Sequence, residues 1–178
     1  MSLIAIYFAS QDGQAAKVAA FIGEQIEQTG PCVTVSDLNA GTPSDITLDR
    51  ADVVVVVAAI RYGRHLKPAE RFLSYHEAAL SQKKLVLISV NLTARKPEKR
   101  SIERSIYLQK WVARYPTLSP VLVRAVAGRL DYPRYSRFDR FMIRLIMSIT
   151  KGPTDPTSTI EFTDWDEVGE LASEIAAI

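Results

Sequence analysis

Cysteine and long apolar runs are the two features most clearly missing from this chain of 178 residues. Cys32 is its single cysteine, which excludes a disulfide within the chain and argues against a cysteine-based metal site, so we predict no metal. No window approaches the roughly 18 apolar residues of a membrane-spanning helix. The start lacks a basic leader and a small-residue cleavage site, so we expect no signal peptide and, by default, a cytoplasmic location.

A strong charge of either sign is also missing, because 22 basic and 20 acidic residues give a net charge of +2. Residues 131–152, "DYPRYSRFDRFMIRLIMSITKG", hold five bases and two acids, a net +3, whereas the other 17 bases and 18 acids leave the rest at −1. A second basic cluster, "ARKPEKR", spans residues 94–100. Such patches favour anionic partners: phosphates, carboxylates, nucleic acid or anionic lipid.

Short apolar runs alternate with amphipathic segments along the chain. The runs predict five strands, at residues 3–9, 32–38, 51–60, 84–90 and 121–128. Helical spacing predicts helices at residues 14–28, 68–80, 101–114 and 165–178. This order is typical of a doubly wound α/β sheet, here in a single domain over residues 1–178. Ligands bind such sheets beyond the carboxyl ends of the strands.

The loop after the first predicted strand, "ASQDGQA" at residues 9–15, is suited to a phosphate. It offers the Ser10 hydroxyl, the Gln11 amide, Gly13 and the N–H groups that open a helix. It has no Lys-Ser/Thr ending and no GxGxxG pattern, so it is neither a nucleotide-triphosphate loop nor a dinucleotide fingerprint. The alternative is an ordinary turn with Asp12 as the helix cap.

Three further loops follow strand ends. In "AAIRYGRH", residues 58–65, Tyr62 and Gly63 could place a ring or open backbone against a flat ligand, and Arg61 and Arg64 could meet carboxylates. The alternative is a turn in which Gly63 supplies backbone freedom. The loop "NLTARKPEKR", residues 91–100, is strongly basic, although such runs are usually solvated. The fourth loop, residues 128–135, leads into the basic segment 131–152.

Five segments of the chain together carry a resemblance to a known family. They are "SQDGQ", "IRYG", "VNLTARKPEKR", "YPRYSRFDRFMIRLIM" and "TDWDEV". In these segments the chain resembles the bacterial menaquinone-dependent protoporphyrinogen IX dehydrogenases, the flavodoxin-like protoporphyrinogen oxidases of haem biosynthesis. The resemblance runs from Leu3 to Ala177, and its two basic segments are long and unusual, which makes it specific.

The resemblance implies a flavodoxin-like fold: a five-stranded parallel sheet of order 2-1-3-4-5, with a basic amphipathic helix inserted after the fifth strand, in residues 129–152. It implies one non-covalently bound FMN. The implied activity is oxidation of protoporphyrinogen IX to protoporphyrin IX, with electrons passed to a membrane quinone, menaquinone or ubiquinone.

By motif, the resemblance assigns the FMN phosphate to the first loop and the flavin ring to the second and third loops. The FMN-binding residues that it implies are Ser10, Gln11, Asp12, Gly13, Gln14, Ala15, Ile60, Arg61, Tyr62, Gly63, Asn91, Leu92, Thr93 and Ala94. The candidates for the two substrate propionates are Arg61, Arg95, Lys96 and Arg129. No residue is an obvious catalytic base, and we expect His65 to be solvent-exposed.

One position departs from the family pattern. The usual phosphate loop ends in a threonine, whereas this chain has Ala15. The substitution removes one side-chain contact to phosphate, but backbone N–H groups can still bind. We therefore expect weaker FMN affinity rather than its loss.

Residues 135–150 predict a helix with an unusually broad apolar side. Helical spacing brings together Phe138, Phe141, Met142, Leu145 and Ile149. It places Arg137, Arg140 and Arg144 on a different face. This pattern is typical of a helix at a membrane interface, so we predict contact with anionic lipid through Arg137, Phe138, Arg140, Phe141, Arg144 and Leu145. The alternatives are a surface for a flat apolar substrate and a sheet-covering helix with its arginines in water.

The leading interpretation is an FMN enzyme bound peripherally at the cytoplasmic face of the inner membrane. The first alternative is a flavodoxin-type electron carrier without a substrate of its own, although such carriers are usually acidic. The second is a binding module that has lost FMN, which Ala15 makes conceivable. We expect no nucleic-acid partner, and the sequence leaves a homo-oligomer open.

Overall fold

A parallel sheet organises residues 2–41 and 45–178, the part of the chain that the computed structural model describes. Its long strands are β1 (Leu3–Ala9), β2 (Cys32–Asp37), β3 (Val53–Arg61), β5 (Lys84–Asn91) and β6 (Leu122–Ala127). A short strand, β4 (Arg64–His65), folds back antiparallel onto β3. The long strands lie in the order β2-β1-β3-β5-β6. The expected order 2-1-3-4-5 is therefore confirmed.

The valine run of β3 lies at the centre of the sheet, as predicted. Val54 and Val56 face one apolar cluster, and Val53, Val55 and Val57 face the other, because successive side chains of a strand point to opposite faces. Burial on both faces explains why this strand is continuously apolar rather than alternating.

Helices cover both faces of the sheet. On one face lie α1 (Gln14–Glu27) and α7 (Trp165–Ala176), which contribute to the cluster around Val55. On the other lie α2 (Asp45–Arg50), α3 (Lys67–Tyr75), α4 (Glu77–Leu80) and α5 (Ile106–Arg114). The two layers leave the carboxyl edge of the sheet free to hold the loops of a site.

The segment after β6 forms a small structure of its own beside that edge. Strands β7 (Arg129–Asp131) and β8 (Thr159–Glu161) pair antiparallel, and α6 (Arg137–Ile149) lies between them in sequence. Their buried centre consists of Leu130, Tyr132, Tyr135 and Met147. The predicted basic helix therefore exists, and a two-stranded ribbon closes the segment that carries it.

Several predicted boundaries differ from the structure. The predicted helix 68–80 is two helices, α3 and α4, separated at His76. The predicted helix 101–114 begins only at Ile106, because the Ser105 side chain caps it by accepting a hydrogen bond from the Leu108 N–H. Strands β4, β7 and β8 and helix α2 were not predicted. Within the described ranges, no helix has the length and apolar character needed to span a membrane.

Candidate functional site

Three loops converge at the carboxyl edge of the sheet, after β1, β3 and β5. In-register pairing brings the strand ends together, with Ala9 beside Ala58 and Ala58 beside Ser89. The loops surround a cavity of about 120 Å³ that α6 covers from outside. The residues lining it include Ser10, Asp12, Ala15, Ile60, Arg61, Tyr62, Gly63, Asn91, Leu92, Thr93, Arg129, Tyr135, Met142, Ile143 and Ile146. The structure thus brings together most of the residues selected from the sequence.

The loop after β1 is shaped for an anion. Gly13 has a φ of 89°, in the left-handed region that favours glycine, and directly precedes α1. Its N–H donates to the Ser10 hydroxyl at 3.0 Å, and the Asn39 side chain donates to the Ser10 carbonyl at 2.7 Å. No side chain in the described ranges caps α1, so Asp12 is not the cap. The first N–H groups of α1 are therefore available to a ligand.

The next two residues of this motif face away from solvent. The Gln14 side chain donates to Glu161 at 3.1 Å and to Thr163 at 2.8 Å, which ties the start of α1 to the chain around β8. Ala15 is buried in the apolar cluster of α1 and also lines the cavity.

The loop after β3 is a two-residue hairpin turn. Tyr62 and Gly63 both have positive φ, 50° and 75°, between the paired residues Arg61 and Arg64. Positive φ at both central positions is the geometry of a type I′ turn, which matches the twist of the two strands. The turn leaves the Tyr62 ring half exposed at the mouth of the cavity.

Asn91 organises the loop after β5. Its side-chain carbonyl accepts from the Thr93 hydroxyl at 2.7 Å and from the Ala94 N–H at 3.0 Å. Its amide donates to the Ser89 hydroxyl at 3.0 Å. The side chain therefore fixes the backbone of residues 91–94, the part of this loop nearest the cavity.

The same network reaches His65, whose expected solvent exposure is wrong. Because β4 folds back on β3, the His65 ring is only 8% exposed and stacks on Trp111 at 3.7 Å. Its Nε2 lies 2.9 Å from the Ser89 hydroxyl. Burial, with a smaller contribution from the charge of Arg114, lowers the pKa of His65 to about 3, so the ring is neutral near pH 7.

Arg61 is the electrostatic centre of the site. Its guanidinium lies 2.8 Å from the Asp12 carboxylate and 2.6 Å from the Asp139 carboxylate of α6, which also accepts a hydrogen bond from the Tyr62 hydroxyl. Burial alone would lower the pKa of Arg61, but the two carboxylates raise it. Hydrogen bonds with Tyr62 first, and then with Ser136 and Arg61, lower the pKa of Asp139. Sequence reasoning did not select Asp139.

The other basic candidates have different surroundings. Arg95 donates to the Leu92 carbonyl and to the Thr150 carbonyl, each at 2.9 Å, and so joins the loop after β5 to the end of α6. Arg129 pairs with Asp131 at 3.0 Å. Lys96 is exposed. Arg100, in the same basic cluster, is bonded to Glu167. Much of this cluster therefore stabilises the fold, and Arg61 is the candidate cation that the cavity encloses most directly.

Helix α6 has two apolar sides. One packs inward, with Ile143, Ile146 and Met142 over the cavity and Met147 in the small core. The other carries large exposed side chains, Phe138, Phe141, Leu145 and Ile149, of which Ile149 is 75% exposed. The three arginines do not form one equivalent set, because Arg140 is half-buried and donates to the Tyr132 carbonyl at 3.2 Å, whereas Arg137 and Arg144 are exposed.

The donor set matches the parts of FMN. The open N–H groups at the start of α1 suit a phosphate. The turn at Tyr62 and the loop fixed by Asn91 lie on either side of an apolar cavity, which suits a flat ring. Its volume, however, is below the roughly 300–1,000 Å³ typical of ligand pockets. The residues at the cavity fit the cofactor chemically.

Comparisons with known proteins show the family to which the chain belongs. The flavodoxin domain family matches residues 5–157. A protein of Escherichia coli strain K12 named protoporphyrinogen IX dehydrogenase (quinone) is 35% identical over 171 residues, which cover 96% of this chain and 93% of that protein. A Leishmania major protein of the same name is 35% identical over 172 residues, which cover 96% of this chain and 73% of that protein.

Solved structures show the same fold. Oxidised flavodoxin 1 from Bacillus cereus superposes with a TM-score of 0.59 at 16% identity, covering 99% of this chain and 98% of that one. A flavodoxin from the domain Archaea superposes with a TM-score of 0.58 at 19% identity, covering 99% and 97%. At these identities the likeness concerns the fold alone.

Proposed function

Since the chain belongs to the flavodoxin-domain family of protoporphyrinogen IX dehydrogenases, we propose that it binds FMN and oxidises protoporphyrinogen IX to protoporphyrin IX with a quinone as electron acceptor. The observation that carries the proposal is the convergence of the loops after β1, β3 and β5 on one apolar cavity beneath α6. A simple electron carrier does not require a helix such as α6 over its flavin site.

Each loop has a role in this proposal. The N–H groups at the start of α1 and the Ser10 hydroxyl hold the phosphate of FMN, and Gly13 gives the loop its curvature. Tyr62, Gly63 and the residues 91–94 flank the flavin ring. FMN, when bound, supplies the two-electron acceptor. The chain supplies position and the field of Arg61, while α6 limits the access of water.

The substrate contributes two carboxylates and a broad apolar surface. Of the four basic candidates, Arg61 lies at the cavity wall, and Arg129 lines it as well. Lys96 is exposed at the loop after β5, where it can attract an anion from solution. Arg95 acts indirectly, because its hydrogen bonds keep the loop after β5 attached to the end of α6.

The quinone acceptor, menaquinone or ubiquinone, lies in a membrane, and the outer side of α6 is our proposed contact with it. Four large apolar side chains are exposed there: Phe138, Phe141, Leu145 and Ile149. The exposed Arg137 and Arg144 belong to the same helix. Apolar side chains next to arginines suit an anionic lipid surface. We therefore assign the protein to the cytoplasmic face of the inner membrane, as a peripheral protein.

The test is anaerobic oxidation of protoporphyrinogen IX by the FMN-loaded protein. Because the conversion removes six electrons, we expect three quinols for each protoporphyrin formed, with porphyrin fluorescence and quinone absorbance measured together. A flavodoxin-type carrier is the second candidate, favoured only by the fold likeness. It would exchange electrons with a soluble donor but would form no porphyrin above the rate of free FMN, and that result would overturn the proposal.

A further inference from the structure

Arg61 is held by two carboxylates from separate parts of the chain. Asp12 belongs to the loop after β1, and Asp139 belongs to the first turn of α6. The side chains of Arg61 and Asp139 are each only 13% exposed. The guanidinium also lies over the rings of Tyr62 and Tyr135, at 5.7 and 5.5 Å. These contacts make Arg61 a preformed binding group for carboxylates, and Asp139 of α6 occupies one of its two carboxylate positions.

One nitrogen of the Arg61 guanidinium has no acceptor in the described part of the chain. Its Nε is buried and has no hydrogen-bond acceptor among the described residues. Asp139 binds only at Nη2 with one oxygen, while its other oxygen accepts from Tyr62. A carboxylate that binds Nε and an Nη together would use the planar fork more fully than Asp139 does. Asp139 is therefore an incomplete ligand that a better-placed carboxylate could replace.

The attachment of α6 is uneven along its length. Of its thirteen residues, all of them described, only Met147 is buried. Near its end, Arg95 donates to Thr150, and the Gly152 N–H donates to the Met147 carbonyl at 2.7 Å. The first half is attached through Asp139, the Arg140 bond to Tyr132 and the contact of Phe138 with the Tyr62 ring. Two of these three attachments involve the Arg61–Tyr62 turn, so loss of the contacts with Arg61 and Tyr62 would affect the first half of α6 more than the second.

We propose that Arg61 binds a carboxylate of the substrate, and that Asp139 holds this place in the substrate-free protein. The incoming carboxylate displaces Asp139, which releases the first half of α6 from the cavity that it covers. The proposal deepens the function proposed above and rests on it, since the carboxylate is a propionate of the porphyrin. It makes Asp139 a specificity residue, because a porphyrin without free carboxylates cannot release α6.

The probes are protoporphyrin IX and its dimethyl ester, which has the same ring without free carboxylates. Affinities for the FMN-loaded protein are measured by quenching of porphyrin fluorescence. We expect the wild type to bind the acid more tightly than the ester. In Asp139→Asn, where this hold on α6 is gone, the affinity for the acid should rise about tenfold, which corresponds to about 1.4 kcal/mol. The affinity for the ester should rise as well, but the acid should remain the tighter ligand, because only its carboxylate pairs with Arg61.

Two further variants make this result specific. Asp166→Asn removes the same charge from an exposed position on α7, so it controls for a general attraction of the anion. Tyr62→Phe removes only the hydroxyl that holds Asp139, and it should raise the affinity for the acid in the same direction if Asp139→Asn folds poorly. Amide hydrogen exchange gives a porphyrin-independent measurement: in both variants residues 137–142 should exchange faster, whereas residues 146–149 should not.

The outcomes separate this inference from the proposed function. Equal affinities for acid and ester, or an equal gain in Asp166→Asn, would overturn the role of Arg61 and Asp139 even if porphyrin is formed. Unchanged exchange at residues 137–142 in Asp139→Asn would overturn the release of α6. Faster exchange and a preference for the acid, without quinone-dependent turnover, would contradict the proposed function alone.

Discussion

At the scale of single residues, Gly13 has the clearest conformational role in the site. Its φ of 89° costs an L-residue about 1–2 kcal/mol, although a Cβ at this position would meet no atom within 4 Å. We expect Gly13→Ala to weaken FMN binding about tenfold, because the loop would relax away from the geometry that presents its N–H groups. Titration of apoprotein with FMN, followed by flavin fluorescence, measures the loss.

Gly30 provides the matched control for this prediction. It also has a positive φ, 115°, and open space at the Cβ position, but it lies beyond the far end of α1. The Gly30→Ala variant should therefore be destabilised against urea about as much as Gly13→Ala, but its affinity for FMN should not change. If both variants bind FMN like the wild type, the loop after β1 does not hold the phosphate.

Residue types with a strong local signal were predictable from the sequence, whereas those defined by tertiary contacts were not. Gly13 and Ser10 follow a strand directly, so their position at the sheet edge follows from chain order. Asp139 lies in the first turn of α6, three positions after the cap Ser136, whose hydroxyl accepts a hydrogen bond from the Asp139 N–H, so nothing local marks its carboxylate as part of a site. Its bond to Arg61 joins residues 78 positions apart, and no local pattern encodes that pairing.

At the scale of elements, α6 shows why a helix can carry two apolar sides. Its inner side covers the cavity, and its outer side remains exposed, so neither side alone explains the sequence. The periodicity predicted this helix correctly, but β4, β7 and β8 were missed because strands of two or three residues have no measurable alternation.

The outer side of α6 gives a prediction about lipid binding. Replacing the exposed Arg137 and Arg144 by glutamine should weaken binding to anionic vesicles by about 2 kcal/mol at low salt, or roughly 30-fold, since each arginine near such a surface contributes about 1 kcal/mol. Co-sedimentation with vesicles containing phosphatidylserine measures this. Arg140 is left unchanged, because it bonds to the Tyr132 carbonyl.

The control for this prediction removes the same charge elsewhere. Arg50 and Arg104 are exposed on other parts of the surface, and their double glutamine variant should bind vesicles almost like the wild type. Turnover with a soluble quinone should be equal in both double variants. Equal sedimentation of the two variants would show that α6 does not contact lipid.

At the scale of the whole molecule, the sheet was predictable because a continuous run of valines is buried on both faces only when helices cover both sides of the sheet. The uneven charge was also informative, since the basic excess lies in the segment that covers the site rather than around the sheet. The organisation as one domain with an insert at residues 129–152 stays a prediction. The ribbon of β7 and β8 suggests a natural outer boundary for that insert, beyond residue 152.

His65 connects the stability of the whole fold to pH, because this residue of β4 is buried against β5 and α5. Its pKa is about 3 in the folded protein and 6.5 as an ordinary histidine, so between these values the unfolded chain binds a proton that the folded chain does not. Folding stability must therefore fall as pH falls from about 6.5, by up to about 1.4 kcal/mol per pH unit from this residue.

Urea unfolding of wild type and His65→Gln between pH 7.5 and pH 4.5 tests this contribution. We expect the variant to be less stable at pH 7.5, because the stacking on Trp111 is lost, but to lose stability less steeply below pH 6.5. Asp139 has little effect on stability between these pH values. Its pKa is lowered in the folded protein, so the stability that it contributes is lost only as pH falls below 3.8, the ordinary pKa of an aspartate. Parallel stability curves for the two proteins would mean that His65 can take up a proton in the folded state, which the buried contacts with Trp111 and Ser89 oppose.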